Sequence, residues 1–187
     1  MKKIINYILI FIMLGFDFFY IINCVKFSNY DRVHTYLALP IVLLVPYLLE
    51  KILKKELDSN LKIIYFGFIF FADFLGCVVN LYGKIAWFDT FTHYLSGIFT
   101  AYLGILLMNK FQIKQNFLGR IIYVLSFTCL IAVMWEFFEY GMDSLFGMTL
   151  QHADTTGVND TMIDLIAAFL GSITFLIFYR NNNEYLT

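Results

Sequence analysis

The chain has 187 residues, of which 60 % are hydrophobic and 14 % charged, and its formal net charge is −1. Soluble domains run nearer 45–50 % apolar and roughly 25 % charged, so this composition excludes a soluble globular fold and a disordered chain. The net charge of −1 argues against nucleic acid or another polyanion as a partner.

Six apolar segments follow one another at 4–24, 33–53, 62–82, 91–109, 120–142 and 161–179. Each is long enough to cross ~30 Å of hydrocarbon as a helix rising ~1.5 Å per residue. The runs are continuous rather than alternating, and a spanning segment must satisfy its own backbone hydrogen bonds, so helices are predicted rather than barrel strands. The expected fold is all-α: a polytopic membrane helix bundle of six transmembrane helices, forming a single domain over residues 1–187.

The first segment starts with Lys2 and Lys3, but its apolar run is too long for a signal-peptide core and no small-x-small cleavage site follows. It reads as a retained first span. Pro40 and Pro46 both fall in the second span and are expected to kink it. The three cysteines, Cys24, Cys77 and Cys129, lie in or at the end of apolar spans and read as small buried packing residues rather than a disulfide framework.

Basic residues orient the chain. With a cytoplasmic N-terminus the inner side holds Lys2, Lys3, Lys51, Lys54, Lys55, Lys62, Lys110, Lys114, Arg120 and Arg180, and the outer side only Lys26, Arg32 and Lys84. Both termini are therefore expected in the cytoplasm, with Trp87 and Trp135 near the outer interface. The pattern is that of a multi-pass protein of a bacterial-type cytoplasmic membrane, with membrane lipids as its partners.

The acids are distributed unevenly. Glu50, Glu56, Asp58 and Glu184 belong to cytoplasmic segments. The other ten lie within spans or on the outer side: Asp17, Asp31, Asp73, Asp89, Glu136, Glu139, Asp143, Asp154, Asp160 and Asp164. An ionised carboxylate in hydrocarbon costs several kcal/mol or more unless it faces the protein interior, binds a cation, shares a proton or reaches water.

Residues at i+3, i+4 and i+7 share a helix face. On the fourth span Asp89 and His93 continue into Gly97, Ala101 and Gly104. On the fifth, Glu136, Glu139 and Asp143 extend back to Ala132, Cys129 and Ser126. On the sixth, Asp160 and Asp164 continue into Ala168 and Gly171. Each polar set shares its stripe with small residues, which mark close helix contact in membranes. Spans four to six are therefore expected to pack along these stripes and to gather their acids and His93 in one outward-opening pocket. Asp73, with Gly76, Cys77 and Asn80 on its face, is a further candidate from the third span.

Structural alternatives accompany these readings. Thr161 and Asp164 match a capping box, and Asp160 could be an N-cap. His152, Asp154 and Asp31 suit solvated positions, His34 an interfacial one, and Asp17 and Asp73 suit neutral, hydrogen-bonded packing. Glu136 and Glu139 are harder to treat so: two carboxylates one turn apart repel, and no Lys or Arg lies nearby in sequence.

One imidazole among several carboxylates suits a divalent cation. Oxygen ligands favour Mg, Ca or Mn, and an added imidazole favours Mn, Fe or Zn. The candidate ligands are His93, Asp89, Glu136, Asp160 and Asp164. Glu139 is the candidate general base with Glu136 beside it, for hydrolysis or transfer on a lipid-type substrate at the interface. There is no His-Glu-x-x-His, Glu-x-x-His or Gly-x-Ser-x-Gly. Asp17, Asp73 and Glu136 at different depths also fit a proton- or cation-coupled transporter, although no inverted repeat is seen. A non-catalytic scaffold is the third class.

The segments Phe88-Asp-Thr-Phe-Thr-His-Tyr-Leu-Ser-Gly97, Trp135-Glu-Phe-Phe-Glu139 and Asp160-Thr-Met-Ile-Asp164, followed by Gly171, resemble the bacterial YjdF-like inner-membrane proteins. The resemblance covers 87–171 and maps onto Asp89, His93, Glu136, Glu139, Asp160 and Asp164. Those proteins tend to carry another acid and a Trp just before the Asp-Thr pair; Gly157 and Asn159 occupy that region here. The family has no known function, so the resemblance implies a fold and a site, not a reaction.

Overall fold

The computed structural model describes residues 2–28, 33–147, 150–151 and 157–182. Every long element is helical: α1 (Lys2–Phe27), α2 (Val33–Leu53), α3 (Ser59–Ile69) running on as a π-helix (Phe70–Val78), α4 (Phe88–Lys110), α5 (Phe117–Phe146) and α6 (Val158–Asn182). Among the described residues, six helical stretches are long and apolar enough to cross a membrane. Only 11 % of the α1 span is buried within the protein, and Phe11, Phe16, Phe18 and Phe19 are exposed on it. That surface suits lipid and is untenable in water. Cys24, Cys77 and Cys129 form no disulfide; contrary to expectation none is fully buried, and Cys129 is exposed.

The contacts fall into two compact units, Met1–Phe88 and Asp89–Thr187. In the first, α1 packs on α2, α3 and the π-helix, around Met13, Tyr36, Leu39, Leu43, Phe66, Ile69, Phe74 and Val78. α2 continues through Pro40 and Pro46. Asp58 caps α3, its side chain accepting the N–H groups of Asn60 and Leu61 at 2.8 and 3.1 Å. The third span ends at Val78, four residues short of its expected limit. Asn80 takes a positive φ of 68° there, which breaks the helical path. The π-helix also widens the turn around Asp73, so the expected α-helical alignment of Asp73, Gly76, Cys77 and Asn80 does not apply.

In the second unit α5 packs along α6, and Ala101, Ile105, Met108 and Val124 form the apolar core. α4 and α6 approach backbone to backbone. A Cβ at Gly97 would overlap the Ala168 carbonyl, and one at Gly171 the Tyr94 carbonyl. Tyr94 donates its hydroxyl to Thr174 at 3.0 Å across the same seam. On α5 the buried row is Val124, Thr128, Ala132, Glu136 and Glu139, rather than the predicted row through Cys129 and Ser126. Packing follows the i±4 ridge, which runs askew to the helix axis and drifts away from Cys129.

A buried Asp-His-Asp group as candidate metal centre

Asp89 lies in the first turn of α4 and His93 one turn further on, so both side chains share a face. His93 Nε2 is 3.7 Å from Asp89 Oδ1 and 3.9 Å from Asp164 Oδ2, which comes from α6. One ligand atom from each of the three lies within 4.8 Å of the others. The glycine seam explains the meeting: His93 precedes Gly97 by four residues, and Asp164 precedes Ala168 by four, so both stand one turn from the closest backbone contact. His93 is 7 % exposed and Asp164 3 %.

Ligand atoms ~2.1 Å from one ion stand roughly 3.0–3.4 Å apart at tetrahedral or octahedral angles. The two separations from His93 would have to shorten by roughly 0.3–0.9 Å to meet that. Among the described residues, Asp164 Oδ1 has no hydrogen-bond partner, whereas buried polar atoms are normally satisfied. Donor chemistry, spacing and the orphaned oxygen all fit a divalent cation.

Glu136 and Glu139 are both buried on α5. Trp135 donates its indole N–H to Glu139 Oε1 at 2.7 Å. The charges acting on Glu139 are those of Glu136, Asp89 and Asp164; those acting on Asp164 are Asp89, Asp160 and Glu136. Asp89, Glu136, Glu139, Asp160 and Asp164 thus lie close enough for their charges to act on Glu139 or Asp164. The metal-sized group itself comprises only Asp89, His93 and Asp164. Glu136 and Asp160 stand beside it, and Glu136 Oε1 has no hydrogen-bond partner among the described residues.

The capping alternative for Asp164 does not hold. α6 already begins at Val158, so Thr161 lies inside the helix and Asp164 is a buried interior residue. Asp160 occupies the first turn, where a negative charge complements the helix dipole. Asp143 has a separate task. Its carboxylate accepts the N–H groups of Leu150 and Gln151 at 2.7 and 3.0 Å, tying the chain beyond α5 back onto that helix. Gln151, which the sequence reading passed over, donates to the Glu136 carbonyl at 3.4 Å and to Thr161 Oγ1 at 3.5 Å. No short-range pattern marks it, because both partners are ten or more residues away. Trp135 was legible only as an interfacial aromatic, although its i,i+4 spacing to Glu139 was available.

His152, Asp154 and Asp31 lie outside the described residues, as do the other positions of 148–149 and 152–156 between α5 and α6. Asp73 and Asp17 belong to the Met1–Phe88 unit. There the Asp17 charge acts on Asp73, and Phe16 and Phe74 touch at a centroid separation of 5.9 Å. Asp17 is 2 % exposed, and its Oδ1 has no hydrogen-bond partner among the described residues.

The chain matches a family described as predicted membrane protein (DUF2238) over residues 5–183. It belongs to the DUF2238 family. A relative in Thermotoga maritima, an uncharacterised protein, is 28 % identical over 137 residues, covering 72 % of this chain and 70 % of that protein. No solved structure matches the chain. For this DUF2238 protein, then, function has to be argued from the site.

Proposed function

We infer that this protein binds a divalent cation at Asp89, His93 and Asp164 and supports hydrolysis or transfer on a lipid-type substrate. The observation that carries the reading is the buried imidazole flanked by two carboxylates at 3.7 and 3.9 Å. Imidazole among carboxylates favours Mn or Zn over Mg or Ca. Such an ion supplies polarisation of an ester or phosphoester oxygen. We assign Glu139 as general base, supported by its burial, its hydrogen bond from Trp135 and its shared neighbourhood with Asp89 and Asp164. Glu136 is its catalytic companion, and Glu136 and Asp160 are the further candidate ligands.

The basic-residue bias supports cytoplasmic termini, which would put this group near the outer surface. The motifs shared with YjdF-like proteins support a bacterial cytoplasmic membrane. A cysteine introduced by Thr155→Cys in a background lacking the native cysteines tests the orientation: labelling from the outside is expected, and labelling only from the cytoplasm overturns it.

Metal analysis of the purified protein tests the central reading. About one ion per chain is expected, lost in His93→Ala and in Asp164→Asn. Sub-stoichiometric metal, unchanged by either substitution, removes the reading. Asp17, with its unpartnered carboxylate oxygen near Asp73, favours a second reading as a proton- or cation-coupled transporter. A cation or pH flux in proteoliposomes that Asp73→Asn abolishes would support it.

A further inference from the structure

A carboxylate lies in the apolar core of the Met1–Phe88 unit. Asp17 follows Met13 by one turn of α1, on the face that packs into the cluster of Phe66, Ile69, Phe74 and Val78. It is 2 % exposed, and its Oδ1 has no hydrogen-bond partner among the described residues. A buried acceptor left unsatisfied is costly, and an ionised one more so.

The third span brings a second acid to it. Phe16 and Phe74 touch at a centroid separation of 5.9 Å, and the acids beside them are Asp17 and Asp73, the Asp17 charge acting on Asp73. Like charges in one apolar unit repel. Among the described residues neither acid forms an ion pair. A cation held between them would satisfy the enclosed oxygen and remove the repulsion together.

The backbone is irregular at the same place. Asp73 stands within the π-helix Phe70–Val78, and π-turns are rare and concentrate at functional sites. Beyond it the path loosens further: the Leu81 N–H reaches the Leu75 carbonyl at 3.0 Å and the Tyr82 N–H the Gly76 carbonyl at 3.4 Å. Interrupted helices at membrane depth are where transport proteins hold sodium, because carbonyls freed from the regular ladder add oxygen ligands. Oxygen donors suit hard cations. Magnesium keeps several waters, and calcium takes six or more oxygens; two carboxylates in apolar packing supply neither.

We propose that Asp17 and Asp73 together bind one small monovalent cation of the sodium class, between α1 and the π-helix. The proposal deepens the transport reading, since it rests on the same pair, but it requires binding alone and no passage across the membrane.

The test is equilibrium binding of radioactive sodium to the whole chain in detergent, with ionic strength held constant by N-methylglucamine chloride. About one ion per chain is expected, displaced by unlabelled sodium. Sodium at ten times its Kd should raise the unfolding midpoint by roughly 3–6 °C. Asp17→Asn and Asp73→Asn should each lower the affinity at least tenfold. Asp73 is only partly buried, so its variant remains informative should Asp17→Asn fail to fold. Asp143→Ala, in the other unit, should bind sodium as the unsubstituted chain does. Saturable binding without sodium flux in proteoliposomes supports the site and removes the transport reading. No saturable binding, or binding unchanged in both Asp17→Asn and Asp73→Asn, overturns the proposal, whatever flux is measured.

Discussion

Trp135 and Glu139, one turn apart on α5, are joined by an indole N–H donated to a carboxylate oxygen at 2.7 Å. Glu139 is 9 % exposed, so removing this donor leaves a buried acceptor poorly satisfied. Trp135→Phe is expected to destabilise the protein by about 1–3 kcal/mol. In a Glu139→Gln background the same change should cost less, because the acceptor is then uncharged. Thermal unfolding of the four proteins of this double-mutant cycle reads the coupling.

The glycine seam makes a sharper structural prediction. Gly97→Ala and Gly171→Ala each drive a Cβ into a backbone carbonyl that cannot rotate away. Each is expected to cost about 1–3 kcal/mol or more and to displace His93 from Asp164. Gly141, whose added Cβ meets nothing within 4 Å, is the control. Gly141→Ala should be neutral or stabilising by up to ~1 kcal/mol. A difference in unfolding midpoint between the two sets checks the account.

Metal retention should depend on pH in one direction. Carboxylate and imidazole ligands bind a cation only when deprotonated, so protons compete for the site. Metal content measured after equilibration at successively lower pH is expected to fall. His93→Ala should hold little metal even at the upper end of the series. A content independent of pH would place the ion elsewhere.

Asp143 is predicted to matter for the chain beyond α5 and not for metal. Asp143→Ala removes the acceptor of two backbone N–H groups. Hydrogen exchange at Leu150 and Gln151 should accelerate, while metal stoichiometry stays within error of the unsubstituted protein. Loss of metal in this variant would instead make Asp143 part of the centre.

The pair of buried Lys62 and partly buried Glu50 gives a fifth contrast. Lys62→Met alone takes the ammonium from the partly buried Glu50 carboxylate, which keeps the Leu57 N–H, and is expected to cost about 1–3 kcal/mol. Adding Glu50→Gln should recover much of the loss, since no charge is then left uncompensated. Chemical or thermal unfolding in detergent reads both.

The six spans were legible in the sequence because hydrocarbon selects on a local property: some twenty consecutive apolar side chains with their backbone bonded internally. The helical period likewise put Asp89 with His93, and Glu136 with Glu139, because neighbours one turn apart need no information from elsewhere. Asp164 shows the limit. Its spacing from Thr161 suits a cap as well as a ligand, and only the start of α6 at Val158 decides against the cap. The π-helix around Asp73, the carboxylate of Asp143 bonded to Leu150 and Gln151, and the drift of the α5 contact row from Cys129 to Thr128 were likewise beyond local reading. They depend on how a ridge of one helix settles against another, and that is fixed by the sum of contacts over distant segments. Sequence alone determined which side chains each helix could offer; tertiary packing, through two glycines that admit a backbone carbonyl, decided which of them meet.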